Sequence, residues 1–159
     1  IRAILDRGHD VGNHSFSHDI LLMLRTMKRL AHEVEKTQDQ LHRFGIHCLA
    51  FRPPVGITNP KLAVVLYRRG LSCVNFSCRA WYGGNRFVRG MSRRILGKVR
   101  PDDIIVLHDT CPPGTVTIRE WQDEIVSILV GLQEKGLRII PLSELLGQSI
   151  MVRITNDGQ

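Results

Sequence analysis

The chain has 159 residues, a length typical of one domain with a conventional hydrophobic core. It carries 22 Lys and Arg against 15 Asp and Glu, a net charge of +7, but the basic residues stand singly or in pairs with few aromatic residues between them. This scatter argues against a nucleic acid partner and leaves an anion-binding module as a lesser alternative. No apolar run reaches the ~20 residues of a membrane-spanning helix.

The cysteines at 48, 73, 78 and 111 are irregularly spaced and include no CxxC pair. They therefore predict neither a disulfide scaffold nor a zinc ribbon. No signal peptide stands at the front, and because the first residue is Ile1 and not Met, we expect the chain to be part of a longer protein. The residues themselves leave the compartment open.

The first elements are predicted from apolar spacing and helix-ending glycines. IRAILDRG has helical spacing and ends at Gly8, and residues 9–14 read as a short extended piece. A long amphipathic helix follows and ends at Gly45, because apolar residues recur at steps of three and four: Met27, Leu30, Val34, Leu41 and Phe44.

The middle of the chain alternates short strands and helices. CLAF, residues 48–51, predicts a buried strand that the following prolines interrupt. Asn59 and Pro60 supply the cap and first-turn proline of a helix that ends at Gly70, and LSCVNF predicts the next strand.

The last third continues the same alternation. RFVRGMSRRILGKV predicts a helix weakened by Gly90 and Gly97, and IIVL predicts a buried strand. A helix over residues 116–135, a strand at LRII and a short helix at LSELL follow, and the tail from Gly147 is predicted to be loop or partly ordered.

Strands separated by helices of this length predict an α/β fold with a parallel sheet, either open and doubly wound or closed into a barrel. Polar residues follow several apolar stretches at their carboxyl ends, where such folds place their chemistry: His14 and His18, Arg52, Arg79, and His108 with Asp109.

Three of these positions suggest chemistry by residue type. HxxxH spacing places the rings of His14 and His18 on one face of a helical turn, where they could share a zinc ion, although two surface histidines are the more common outcome of so short a pattern. His108 could act as a general acid or base, or simply hydrogen-bond at a strand end. Arg52 could orient a carboxylate through paired hydrogen bonds, or form an ordinary ion pair.

Taken together, HSFSH, FRPPVG and VLHD, in this order and on successive strand ends, resemble the motifs of the polysaccharide deacetylases of carbohydrate esterase family four, the NodB homology domain. FRPPVGITNP and GLRIIPLSELL also resemble segments of that family. The resemblance covers residues 1 to about 146. It implies a distorted, incomplete (β/α) barrel of parallel strands, with a deacetylase-like domain over residues 1–147 and a C-terminal tail over residues 148–159.

The resemblance also implies roles for individual residues. His14 and His18 would be two of the three protein ligands of a divalent metal, usually zinc, and Arg52 would orient the catalytic aspartate. His108 would be the general acid that protonates the departing amine. The remaining matched positions would contact substrate: Leu107 beneath the acetyl methyl group, and Pro53, Pro54 and Gly56 in the groove wall. Trp81 could stack on a sugar or lie buried in the core.

The chain departs from the family pattern in two places. The TFDDGP motif, which supplies the catalytic base and the third metal ligand, belongs on a strand before residue 1, so this first strand is expected to be missing. An acidic partner of the catalytic histidine is absent from NFSCRAWYGG. Because two neutral nitrogen ligands hold zinc poorly, we expect the residues present to bind metal weakly and to support little activity.

The resemblance predicts metal-dependent hydrolytic N-deacetylation of an N-acetylated sugar polymer or oligosaccharide. The alternative is a catalytically inactive relative that binds glycan or protein. The expected partner is an N-acetylated glycan, with no nucleic acid and no transmembrane segment. The resemblance implies an extracytoplasmic or cell-envelope location, while the residues leave a cytoplasmic one open.

Overall fold

The computed structural model describes residues 1–80, 87–110 and 114–154. The chain divides into two compact units. The first unit combines Ile1–Asn75 with the residues from Pro141 onward, and the second unit is Phe76–Ile140. Both units mix helices with short strands, so the fold class is α/β, as the sequence predicted.

The helices of the first unit begin and end close to the predicted residues. They are α1 (Arg2–Leu5), α2 (Met27–His42), α3 (Pro60–Tyr67) and α6 (Leu142–Leu146), with 3-10 turns at Leu22–Leu24 and Pro54–Gly56. The side chain of Asn59 accepts a hydrogen bond from the N–H of Leu62 and so caps α3. Gly45, with φ of +70°, supplies the left-handed backbone that ends α2.

The strands of the first unit form two separate pairs. β2 (Ala50–Phe51) runs parallel to β3 (Ser72–Cys73), and β1 (Ile46–Cys48) runs antiparallel to β6 (Met151–Arg153). The predicted CLAF strand is thus divided between β1 and β2. The prediction of a loop or partly ordered tail from Gly147 is wrong for Met151–Arg153, because hydrogen bonding to β1, about a hundred residues earlier in the chain, orders this segment.

The largest core of the first unit lies where α2 and α3 meet Phe51. Apolar residues on the stripe of α2 pack there with the 3-10 turn at Leu22–Leu24. The buried set is Leu22, Met23, Leu30, Val34, Phe51, Leu62, Val65, Leu66 and Leu71. This core fixes α2 behind the segment that carries His14 and His18.

The second unit contains β4 (Cys78–Arg79) and β5 (Ile105–Val106), which are parallel, and α4 (Met91–Leu96) and α5 (Ile118–Glu134). Thr117 and Glu120 form a capping box at the start of α5. The predicted strand LRII is wrong: residues 137–140 carry no strand pairing, although Leu137 packs against the core of this unit.

In the part of the chain that the structure describes, no helix is both long enough and apolar enough to cross a membrane.

Candidate functional site

His14 and His18 lie in a loop of the first unit, with their ring centroids 5.0 Å apart and the rings edge to face at 71°. The prediction that the HxxxH spacing forms a helical turn is wrong. Ser15 and His18 instead adopt positive φ angles of 64° and 52°, which are rare for residues other than glycine. Such backbone persists only where surrounding contacts hold it, so the loop needs strong anchors.

A backbone carbonyl orients the ring of His14. Its Nδ1 lies 2.7 Å from the carbonyl oxygen of Arg52. Because a carbonyl oxygen only accepts hydrogen bonds, Nδ1 donates, and the lone pair of the neutral ring is then on Nε2. A hydrogen bond of this kind to one ring nitrogen orients metal-binding histidines for coordination through the other.

The distance between the two ring centres is one that a shared zinc ion would allow. With Zn–N bonds of about 2.0–2.1 Å, two imidazoles on one ion have ring centres about 5 Å apart, and the observed separation is 5.0 Å. Among the described residues, however, no group of three or more His, Cys, Asp and Glu side chains gathers in a metal-binding arrangement. The structure therefore brings together two ligands of the predicted set.

Asn13 anchors the loop at its start. The residue is 1% exposed, and its backbone bridges to Phe51 in parallel fashion. Its side-chain amide donates to the carbonyl of Val34 in α2 at 2.9 Å and accepts from the N–H of Ser15 at 3.1 Å. The residue before His14 is therefore fixed between β2 and α2.

Glu33 anchors the middle of the loop, a role that the sequence analysis missed. Its Oε2 accepts hydrogen bonds from the N–H of Phe16 at 3.1 Å and from the N–H and hydroxyl of Ser17 at 2.7 and 2.9 Å. Its Oε1 pairs with Arg29 at 2.8 Å. Burial raises the pKa of the Glu33 carboxyl, but the hydrogen bonds from Ser17 and the charge of Arg29 outweigh it, so the net pKa is lowered.

A signal for this role was present in the sequence. Glu33 stands three residues after Leu30 and next to Val34, so the 3.6-residue period places it on the apolar stripe of α2. A carboxylate on such a stripe is costly unless it has partners.

Arg52 borders the same site. Its guanidinium donates to the carbonyls of Val74 at 3.2 Å and Asn75 at 3.4 Å, and burial lowers its pKa. Within the described ranges no carboxylate pairs with it. The backbone of Arg52 also holds the loop, because its N–H donates to Asn13 at 2.8 Å while its carbonyl accepts from His14.

The predicted groove residues follow Arg52 directly. Pro53 and Pro54 are buried, and the backbone turns sharply at Val55 and Gly56, whose φ angles are 52° and 75°. The carbonyl of Gly56 accepts from the side-chain amide of Asn75 at 2.7 Å. This hydrogen bond fixes the segment beside Arg52.

Two other predicted site residues belong to the second unit. Leu107 is half-buried against the core cluster of that unit, and His108 is exposed just after β5. Their roles stay predictions. Trp81 lies outside the described residues, as does Cys111.

Comparison with known proteins identifies similar sequences and folds. A family model described as polysaccharide deacetylase matches residues 1–74. A chitooligosaccharide deacetylase of Azorhizobium caulinodans is 28% identical over 149 residues, covering 85% of this chain and 68% of the relative. A peptidoglycan-N-acetylglucosamine deacetylase of Bacillus cereus is 25% identical over 150 residues, covering 92% of this chain and 67% of the relative.

The fold is similar to that of a solved CE4 family pseudoenzyme from Bacillus anthracis. The TM-score is 0.74 at 18% identity, and the match covers 91% of this chain and 48% of that chain. At this identity the likeness concerns the fold alone.

Proposed function

Because this chain belongs to the polysaccharide deacetylase family, carbohydrate esterase family four, we propose that it acts in the hydrolytic, metal-dependent removal of acetyl groups from an N-acetylated glycan. The names of the two relatives, which specify chitooligosaccharide and peptidoglycan N-acetylglucosamine, support N-acetylglucosamine-containing polymers or oligosaccharides as the substrate class.

The observation that carries this proposal is the pairing of His14 with His18. Two imidazoles 5.0 Å apart, one of them oriented by a backbone carbonyl, suit two ligand positions of a single divalent ion, and zinc is the ion we propose. When bound, such an ion would supply Lewis acidity toward the acetamide carbonyl and the attacking water.

The remaining roles are assigned to the chain's own residues. Arg52 has a partly buried guanidinium beside the histidine loop, which suits it to orient a catalytic carboxylate. His108 donates a proton to the amine nitrogen as the bond from carbon to nitrogen breaks. Leu107 would contact the acetyl methyl group, and Pro53, Pro54 and Gly56 would form the groove wall.

Two histidines do not complete a zinc site. Two neutral nitrogen ligands bind zinc less tightly than the three or four of an ordinary site, and a general base is also required. We therefore propose that the described residues alone bind metal weakly and support little turnover. The family resemblance, and not the strand pairing, is the basis for proposing a distorted, incomplete (β/α) barrel as the fold of the domain.

Acetate release tests the proposal. The full-length protein is incubated with N-acetylglucosamine oligomers and zinc or cobalt, and released acetate is measured. We expect release that depends on added metal, loss of metal retention in His14→Ala and His18→Ala, and a drop of roughly a hundredfold or more in His108→Ala with metal still bound. Absence of metal-dependent release from the wild type would refute the catalytic proposal.

A second candidate is an inactive relative that binds glycan. It is favoured by the two-histidine donor set, which among the described residues has no third ligand beside it. The same oligomers distinguish the two functions, since saturable binding measured by calorimetry without any acetate release would support the inactive form.

A further inference from the structure

Glu33 is a buried carboxylate that none of the catalytic roles above uses. It is 1% exposed and lies on α2, 15 residues beyond His18 in sequence. Its Oε2 accepts three hydrogen bonds from Phe16 and Ser17, which are two of the three residues between the histidines of the loop. A charged acceptor makes each of these bonds stronger than a neutral one would.

These bonds act where the backbone is least favourable. Ser15 and His18, on either side of the bonded pair, both have positive φ. An unheld loop would relax such angles, and the separation of the histidine rings depends on them. The hydrogen bonds that Glu33 accepts hold the middle of the loop, while Asn13 holds its start.

We propose that Glu33 is a positioning residue of the deacetylase site, which fixes the loop so that His14 and His18 can bind one divalent ion together. This inference rests on the proposed function, because it assumes that the two histidines are metal ligands. Arg29 supports the arrangement by pairing with the second carboxylate oxygen, which offsets the cost of the buried charge.

Glu124 provides a matched control in the second unit. It is a half-buried glutamate on a long helix, and it accepts backbone hydrogen bonds from Gly90 at 2.5 Å and Ser92 at 2.6 Å. Both of these bonds are made within the second unit, whereas the histidine loop belongs to the first. Removing its side chain should therefore disturb folding in a similar way without acting on the proposed metal ligands.

The test measures metal affinity rather than turnover. Zinc dissociation constants of the full-length wild type, Glu33→Ala, Glu33→Gln and Glu124→Ala are determined by competition with a chromophoric chelator, at a temperature where circular dichroism shows each protein folded. Cobalt is bound separately, and its visible absorption reports the geometry of the ligands. Replacing a residue that supports metal ligands from outside the coordination shell typically lowers the affinity for the metal 10- to 100-fold.

We expect Glu33→Ala to weaken zinc binding at least tenfold and to alter the cobalt spectrum, Glu33→Gln to fall between it and the wild type, and Glu124→Ala to match the wild type. If Glu33→Ala does not fold, a loss of at least threefold in Glu33→Gln is the supporting result. Wild-type affinity in the Glu33 variants, or equal losses in the Glu33 and Glu124 variants, would overturn the positioning role and leave the proposed function standing. A wild type that neither binds metal nor releases acetate would overturn both.

Discussion

Replacing Asn13 by Ala removes the side chain that ties the histidine loop to α2. The side chain is 1% exposed and makes two hydrogen bonds, to the carbonyl of Val34 and from the N–H of Ser15. Each partner left without its bond costs about 1–3 kcal/mol when buried. Because Ser15 is only half-buried, we expect a total loss of roughly 2–4 kcal/mol in the free energy of unfolding.

Asn59→Ala is the control that separates the effect of side-chain burial from the effect of the number of hydrogen bonds lost. Asn59 also makes two side-chain hydrogen bonds, to Met23 at 2.6 Å and from Leu62 at 2.9 Å, but it is half-buried. Water can replace part of what is lost there, and removing a helix cap costs about 1 kcal/mol. Asn13→Ala should therefore be the more destabilising of the two substitutions.

Urea unfolding at neutral pH, followed by circular dichroism, measures both effects. With a slope of about 2 kcal/mol per molar urea, the Asn13→Ala midpoint should fall by roughly 1–2 M with an unchanged slope. A loss below about 1 kcal/mol, or a larger loss in Asn59→Ala, would refute the reasoning that the buried amide holds the loop.

Three further predictions concern other parts of the chain. Burial raises the pKa of the Glu124 carboxyl, but its hydrogen bonds at the start of α4 outweigh this effect, so the pKa is lowered overall. The ionised carboxylate therefore stabilises the folded protein fully above the pKa of the unfolded state, about 4.3, and this stabilisation is lost as the pH falls through the lower pKa of the folded state. In urea titrations the stability gap between wild type and Glu124→Gln should shrink from pH 7 to pH 3, and a constant gap would contradict this. An added Cβ at Gly131 would overlap the side chain of Leu96, so Gly131→Ala should lower the free energy of unfolding by about 1 kcal/mol, although Ala has the better helix propensity. In the double variant with Leu96→Ala the clash is absent, so urea unfolding should show no further loss from Gly131→Ala. Burial raises the pKa of the Cys48 thiol to about 11, so at pH 8 iodoacetamide should modify the exposed Cys73 faster than the buried Cys48. Mass spectrometry of peptides measures the two rates, and equal rates would contradict the burial of Cys48.

Local chemistry in the sequence predicted much of the helical structure. Asn59 with Pro60 marks the start of α3, and Gly45 and Gly136 follow the ends of α2 and α5 with positive φ, as their positions after apolar periodic runs indicated. These signals act within one turn of helix, so neighbouring residues are sufficient to reveal them.

Features that depend on distant partners could not be predicted in this way. Met151–Arg153 forms a strand because β1 pairs with it, whereas residues 137–140 have strand-like composition but form no strand in the described part of the chain. β-propensity reports suitability for a sheet and does not say whether a neighbouring strand is present.

The candidate site shows the same division. The histidines are predicted from their spacing and the family resemblance, but the predicted helical turn is wrong. Ser15 and His18 have positive φ, and Glu33 of α2 holds Ser17 between them. The role of Glu33 depends on Phe16 and Ser17, which precede it by 17 and 16 positions in the sequence. From the sequence alone, its (i, i+4) spacing from Arg29 indicates only an ordinary ion pair on a helix surface.

The claim that His14 and His18 share one divalent ion is tested most directly by a crystal structure of the full-length protein soaked with zinc, with anomalous diffraction recorded at the zinc absorption edge. We predict a single strong peak about 2.0–2.1 Å from a nitrogen of each ring, with Nδ1 of His14 still bonded to the carbonyl of Arg52. A peak bound to one histidine alone, or no peak between them at saturating zinc, would contradict the account.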